Sequence, residues 1–518
     1  MDKAVKTPKG TRDYVGSDKI KLDRIIEQAE KVYKSMGGIP FDTPSFEIKS
    51  TLTQKYGEES KKLIYDLADQ GGEICALKYD LTVPLARFLA MTKTQKIKRF
   101  HTDKVYRRDQ PALNRGRYRE FYQSDFDIVG EYSHMAADAE IVFSACEILR
   151  AFSGEISRDI LVRINHRKLV DGIMSLCGIE SEIRRDICSS IDKLDKIPWE
   201  DVALEMQSKG ASSESIQEIR KFTLVKGSIQ EVIRGIPELA RAESEAVHDL
   251  MRLDELLSLY GVGESVVLDL SLIRGLEYYT GLLIEGGYVG LEGSFVAGGR
   301  YDGLADAMGA KREKKSSKPK ESNCQQMDSS SKNTNNKSTC NCQESNCQKM
   351  DGCNSSCNPD DTAVEALCDG VKNLKCTKTP EKCRVLNTSS SSVKCVGMSL
   401  GVSRLFSALE GPERKTYTEV LVCSVGSNLL SERVRMCLLL RRSGINAEYF
   451  MGESNNFARH SEYAESAGIG TLVLIGRKEI ETETYQIISG ERNSRKKVPV
   501  HIDRIAEYIK GMREPKNE

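Results

Sequence analysis

Residues 99–130, RFHTDKVYRRDQPALNRGRYREFYQSDFDIVG, constrain the fold more than any other stretch of the chain. They read as two strands around a polar loop, 110–118, that carries Pro, Asn and Gly, and hence as a long hairpin. In the second strand a period of two puts Phe121, Gln123, Asp125 and Asp127 on one face and Tyr122, Ser124, Phe126 and Ile128 on the other. One face can join a core and the other is polar, although a solvated outer face would show the same alternation. The first strand and the loop add Arg107, Arg108, Arg115, Arg117 and Arg119. So many forked, permanently charged donors suit a triphosphate or a nucleic-acid backbone better than an ordinary surface.

The rest of the chain supplies the company for this hairpin. At 518 residues, with roughly 100 to 200 per domain, three or four units are expected. Residues 17–36 place Leu22, Ile25, Ile26, Ala29, Val32, Tyr33 and Met36 on one helical face, with Ser17 as N-cap and Gly37 as the stop. Residues 171–260 turn to Glu, Lys, Ile and Leu in helical stretches broken at Gly178, Pro198, Gly210 and Gly235, which predicts an all-helical insertion. Strands return at 266–273 and 282–288. From residue 418 onward, TEVLVCSV, AEYFM and TLVLIG alternate with helical stretches at 429–442 and 458–467, the pattern of an α/β domain.

Between these lies a biased segment, 311–392, rich in Ser, Asn, Lys and Cys and poor in aliphatics. It cannot bury enough apolar surface to offset its ordering entropy, so disorder is expected. Nine of the 16 cysteines fall there, and Cys340, Cys342, Cys347, Cys353 and Cys357 invite a metal reading. Without a C-x-x-C pair or a histidine, the segment is read instead as a surface insertion and no metal is assigned. No apolar run approaches the ~20 residues of a membrane span. The N-terminus lacks a secretory h-region and the long acid-free stretch of a transit peptide, so a cytoplasmic location is expected. Lys plus Arg equals Asp plus Glu at 76 each, and any nucleic-acid surface must be local.

Three further motifs carry chemistry, each with a plain alternative. RGLEYYTG, 274–281, follows a strand, and its tyrosines are equally good strand and core material. KYDLTVPLARF, 78–88, sets Asp80 and Thr82 on one side of an extended segment that runs into a helix, where a Thr before Val-Pro also serves as an N-cap. CVGMSLGVSRLFSALE, 395–410, reads as strand, Gly-rich turn and helix carrying Arg404, and an arginine on a helix is ordinarily a surface residue. GGRYDG, 298–303, reads as a turn.

YRRD followed by GRYREFYQSDFDIVG resembles motif 2 of class II aminoacyl-tRNA synthetases, in the version of the histidyl-tRNA synthetase family. The resemblance implies that Arg107 holds the α-phosphate of ATP, that Phe121 stacks on adenine, and that Gln123 and Asp127 bind histidine. The acid after the arginines is Asp109 where the family has Glu, which keeps the charge. RGLEYYTG is similar to the family's RGLDYYTG, with Glu277 in place of Asp. It implies that Arg274 contacts the α-phosphate and the substrate carboxylate, and that Tyr278 and Tyr279 line the imidazole pocket. Residues 78–88 match the loop that binds the substrate's α-amino group, with Asp80 and Thr82 at its polar positions. Residues 395–410 resemble motif 3, in which Arg404 would pack over adenine and reach the γ-phosphate. GGRYDG matches a family turn that approaches the substrate.

The resemblance implies an α+β fold: a class II antiparallel sheet flanked by helices, with a helical insertion and a C-terminal α/β anticodon-binding domain. The chain then divides into catalytic residues 1–170 with motifs 1 and 2, a helical insertion at 171–260, catalytic residues 261–310, the biased insert 311–392, motif 3 at 393–412, and the anticodon-binding domain at 417–518. Its strand LVLIGRKE and the basic stretch RNSRKK, 492–497, would suit an RNA surface. Residues 41–67 occupy the place of motif 1, through which the family forms homodimers. The implied reaction is ATP-dependent activation of L-histidine and its transfer to tRNA(His), with Mg²⁺ and with Arg107 and Arg274 as the catalytic pair. A rival of another class is an inactive synthetase-like regulatory or tRNA-sensing protein. The phosphate arginines, the paired tyrosines and the C-terminal domain, all present, argue against it.

Overall fold

The structure, a computed structural model, describes residues 5–53, 62–68, 72–111, 116–274, 278–309, 392–411, 414–452, 456–490 and 494–512. The expectations for 311–391, for Arg115, for Glu277 and for the start of the basic stretch at 492–493 lie outside the described residues.

Nine strands join one sheet in the order β1-β4-β5-β11-β10-β9-β6-β8-β7. These are β1 (Ile39–Pro40), β4 (Ile97–Tyr106), β5 (Glu120–Val129), β6 (Ile160–His166), β7 (Lys226–Gly227), β8 (Val266–Asp269), β9 (Leu282–Tyr288), β10 (Val296–Arg300) and β11 (Cys395–Gly401). A two-stranded sheet joins β2 (Phe46–Ile48) to β3 (Cys75–Leu77). Within the large sheet β1–β4 and β6–β8 are parallel, and every other neighbouring pair is antiparallel.

Two helices pack side by side on one face of this sheet. The helix Ser17–Ser35 buries Leu22, Ile25, Ala29 and Tyr33, and the helix Ala136–Ile156 buries Ile141, Val142, Ala145, Ile148 and Leu149. Tyr33 stacks on Phe126 with ring centroids 5.1 Å apart and donates to the Ser124 carbonyl at 3.2 Å, which pins the first helix to the even-numbered face of β5. Ser17 does not cap that helix. Gly16, at φ +56°, holds the cap position without a side-chain hydrogen bond, and Ser17 is the first helical residue.

The opposite face is set by register. Directly opposed residues share a face, so His101 on β4, Asp125 on β5, Ser399 on β11, Ala297 on β10, Glu285 on β9 and Arg163 on β6 form one row across six strands. Asp125 and Asp127 are 1% and 2% exposed, so the polar face of β5 is buried rather than solvated.

Residues 171–260 are helical from the helix Arg167–Leu176 to the helix Ser244–Leu259, with one interruption that the periodicity does not show. Lys226 and Gly227 pair with Asp269 and Leu268 at the edge of the sheet, a ladder too short to leave a pattern. GGRYDG is not simply a turn either: Gly298, Gly299 and Arg300 are central-strand residues, and a Cβ at Gly298 would meet the Gly397 carbonyl at 2.1 Å.

The C-terminal residues build a second sheet in the order β13-β12-β14-β15-β16, from β12 (Val420–Ser424), β13 (Ala447–Tyr449), β14 (Thr471–Ile475), β15 (Thr484–Ser489) and β16 (Lys496–His501). β13, β12 and β14 are parallel, and β15 and β16 add antiparallel. Val420, Val422, Leu440, Val473, Ile475, Ile487 and Ile505 form a core of its own.

Candidate active site

Three buried carboxylates and one buried guanidinium lie at the centre of the large sheet. Arg99 is fully buried. Its Nη2 donates to the Leu81 carbonyl at 2.9 Å and lies 2.8 Å from Asp127 Oδ2. Asp127 Oδ1 accepts the Tyr301 hydroxyl. Opposite Asp127 stands Gly397, where a Cβ would fall 1.9 Å from Oδ1, so the register requires glycine there. Asp80 is 5% exposed, and its Oδ1 accepts the Val83 amide at 3.0 Å, capping the helix Thr82–Thr92. Thr82 is therefore the first helical residue and not the cap.

Burial pushes the Asp125 carboxyl up to about 8, with the charges of Asp127 and Asp80 adding to the shift and Arg99 opposing it. Asp127 is raised for the same first reason, against the pull of Arg99 and Tyr301. Asp125 Oδ1 has no hydrogen-bond partner among the described residues. An acceptor held in this state favours a ligand that brings donors or positive charge.

Tyr278 and Tyr279 lie within electrostatic reach of Asp80, Asp125 and Arg274. Their rings are 4.9 Å apart, and Tyr278 meets Tyr301 edge-on at 6.0 Å. Arg274 Nη1 donates to Glu285 Oε2 at 3.1 Å, and Arg163 Nη2 reaches the other oxygen of the same carboxylate at 2.8 Å. Burial opposes the charge of Arg274, yet Tyr279, Glu285 and Asp192 hold the guanidinium above its ordinary value.

Arg107 donates through Nη2 to Gln123 Oε1 and through Nε to the Tyr79 carbonyl, both at 3.1 Å. It lies 4.4 Å from the Tyr79 ring and 5.1 Å from the Phe121 ring. Gln123 passes the chain on by donating to Ser399 Oγ. Arg404 donates to the Ser294 carbonyl at 2.6 Å and crowds Gly293. Burial and the nearby Arg117 lower its proton affinity, with Glu285 opposing.

Asp80, Asp127, Tyr278, Tyr279 and Arg274 thus share one neighbourhood, and Arg107, Phe121 and Gln123 share another on the same face. Arg107 and Arg274 do not touch. Their anchors stand on β5 and β9, three strand steps or about 14 Å apart. Among the described arginines of the hairpin, Arg119 runs back to the Asp109 carbonyl beneath Gly10, and Arg108 turns outward over Tyr65.

Sequence reasoning missed Arg99, Asp125, Glu285, Arg163, Ser399 and Tyr301 as participants. Asp125 and Glu285 carried a signal, each being an acid inside an otherwise strand-like run. Arg99 carried none, since nothing local distinguishes a buried arginine from a surface one.

The arrangement can bind a small ligand with cationic and donor groups at the carboxylates, and an anion between Arg107, Arg274 and Arg404. Comparison with known proteins gives the same direction. Residues 10–315 match the family model described as histidyl-tRNA synthetase, and residues 419–512 match the one described as anticodon binding domain. The chain is 35% identical over 512 residues to a probable cytoplasmic histidine–tRNA ligase of Encephalitozoon cuniculi, covering 98% of each. It is 36% identical over 507 residues to the human mitochondrial histidine–tRNA ligase, covering 94% of this chain and 84% of that one. The crystal structure of histidyl-tRNA synthetase from Nostoc superposes with a TM-score of 0.71 at 24% identity, over 98% of this chain and 99% of that one, and shares the fold. The buried carboxylates, the arginines on the same face and the full-length likeness converge: the chain belongs to the histidyl-tRNA synthetase family, aminoacyl-tRNA synthetases that activate histidine and charge it onto tRNA.

Proposed function

We propose that the polar face of the large sheet binds histidine at its carboxylate end and ATP at its arginine end. Asp80 takes the α-ammonium, with Thr82 beside it. Tyr278, Tyr279, Gln123 and Asp127 frame the imidazole. Asp127 already holds Tyr301 and Arg99, so it acts mainly by fixing these neighbours. Arg107 and Arg274 close on the α-phosphate, Phe121 stacks on adenine, and Arg404 lies over the nucleotide toward its γ-phosphate. The observation that carries the reading is that one face of the sheet gathers the buried carboxylates of Asp80, Asp125 and Asp127 with the tyrosine pair and Arg274, and holds Arg107 against Gln123 further along.

In the first step a carboxylate oxygen of histidine attacks the α-phosphorus, and the bond to the pyrophosphate oxygen breaks. Negative charge grows on phosphoryl oxygens, where fixed guanidinium groups stabilise it without any proton transfer. The 3′-terminal ribose hydroxyl of tRNA(His) then takes the histidyl group. Mg²⁺ is proposed to arrive on the ATP phosphates, where it supplies further neutralisation. The carboxylate facing that end is Glu285, whose two oxygens serve Arg163 and Arg274, which suits an ion held chiefly by the nucleotide.

Arg274→Ala is expected to lose on the order of 10²- to 10³-fold in histidine-dependent ATP–pyrophosphate exchange. Exchange at the wild-type rate would remove Arg274 from the machinery. The C-terminal residues are proposed to read the anticodon, with Lys496 and Lys497 on the exposed strand β16 available to RNA. A homodimer through residues 41–67 and a cytoplasmic location complete the reading. Both cytoplasmic and mitochondrial relatives match, so location is tested by imaging the tagged chain.

A further inference from the structure

Three of the chain's six histidines meet at one place. His134 lies in the turn before the helix Ala136–Ile156, His166 ends β6, and His248 stands beside Asp249 on the helix Ser244–Leu259. His134 Nε2 is 2.6 Å from Asp249 Oδ1, and His166 Nε2 is 3.3 Å from Asp249 Oδ2. The rings of His134 and His248 stack at 4.8 Å with an interplanar angle of 17°.

We propose that His134, His248 and Asp249 form a binding site for a divalent transition-metal ion of the zinc type, with water completing the coordination. Each residue offers one ligand atom, and these atoms all lie within 4.8 Å of one another. Ligands at the Zn–N and Zn–O distances of a tetrahedral site stand roughly 3.4 Å apart, so His134 Nε2 and Asp249 Oδ1, now 2.6 Å apart, part by about 0.8 Å while the widest pair needs a closure of up to about 1.4 Å. His134 and His248 are both exposed and free to make it. Two neutral imidazoles and one carboxylate suit zinc, cobalt or nickel better than magnesium or calcium, which prefer all-oxygen sites.

The carboxylate is held in place from behind. His166 is buried, and its Nδ1 accepts the Lys168 amide at 3.2 Å, which leaves the proton of the neutral ring on Nε2, facing Asp249 Oδ2. A hydrogen bond from behind that fixes a ligand's orientation is the usual support of a protein metal site. On binding, His134 gives Nε2 to the ion and carries its proton on Nδ1.

Among the described residues only one other such group occurs, Asp42 with His101 and Asp103. There Lys78 already sits on Asp103, and the positive charges of Lys78 and Arg99 beside buried His101 disfavour a cation. The ion at His134 would join the turn after β5 to a helix 115 residues further along, stapling the helical stretch to the sheet.

The test uses the full chain, stripped with a chelator and titrated with Zn²⁺ and separately with Co²⁺. Nine cysteines at 324–383 can also take these metals, so the readout is the difference from His134→Ala, His248→Ala and the double variant. The double variant is expected to bind one equivalent of Zn²⁺ fewer than the wild type, and each single variant to bind that equivalent at least about tenfold more weakly. The d–d absorption of bound Co²⁺ should fall in the double variant while the thiolate-to-cobalt charge-transfer absorption stays unchanged. ATP–pyrophosphate exchange, equal in all four proteins, reports that they are folded. Identical stoichiometry and an identical cobalt spectrum in the wild type and the double variant would overturn the site.

Discussion

A carboxyl group held up to about 8, as Asp125 is, carries its proton through much of the neutral range. The unfolded chain releases that proton near pH 3.8, so the folded form holds one more proton between the two values. The stability this contributes is complete below the lower value and is lost as pH rises through the upper one. Asp125→Asn cannot ionise, and it should gain stability relative to the wild type as pH is raised from about 5 to about 9. Denaturant unfolding at several pH values measures the gap. A constant gap would mean that Asp125 is ionised throughout. Tyr301→Phe should cost about 1 to 3 kcal/mol, because it leaves a buried carboxylate oxygen of Asp127 unpaired. At this scale the sequence showed the acids, since alternation puts Asp125 and Asp127 on one face. It did not show the neutralising partner, because nothing local on β4 marks Arg99, which stands directly opposite Asp127, as a buried arginine rather than a surface one.

Helices and strands place these groups, and one helix does so twice over. Asp80 caps the helix Thr82–Thr92 and also faces the tyrosine pair. The two roles can be separated. Asp80→Asn keeps an acceptor for the Val83 amide, so its melting temperature should stay near the wild type while the KM for histidine rises. Asp80→Ala should raise the KM as well and lose about 0.5 to 2 kcal/mol of stability with the cap. Equal KM values in both variants and the wild type would place the substrate's ammonium elsewhere. Gly397→Ala drives a methyl group into Asp127 and should cost about 1 to 3 kcal/mol or more in the same unfolding assay. Long alternating runs such as β4 and β5 were legible, and so were β12 and β14 with their unbroken aliphatics. β15 and β16 were not, because β16 is a polar edge strand carrying Pro499, which blurs the period. β7 is too short to have one.

The nine-stranded and the five-stranded sheet each have a buried cluster of their own. Ending the chain after residue 411 should therefore leave ATP–pyrophosphate exchange within a few-fold of the wild type and abolish charging of tRNA at ordinary concentrations. A parallel loss of both would mean that the second sheet supports the first. The likeness to a known family, carried by the hairpin and by the motifs at 78–88, 274–281, 298–303 and 395–410, implies the order of these parts. Composition could not do so, since balanced charge is silent about which surface meets RNA.

One detail of the large sheet governs how freely its blueprint can be edited. Before the long segment that begins at 310, Gly303 donates its amide to the Val393 carbonyl. The Val393 amide returns to Asp306 Oδ2 at 2.8 Å, and the Tyr301 amide reaches the Cys395 carbonyl at 2.8 Å. The doorway through which the chain leaves and re-enters is thus latched by its own frame, whatever passes through it. Even a wholly slack connection would add only about 0.6 kcal/mol for each doubling of its length. Passengers of very different size could be spliced in at this threshold, or removed, while β10 and β11 keep their alignment.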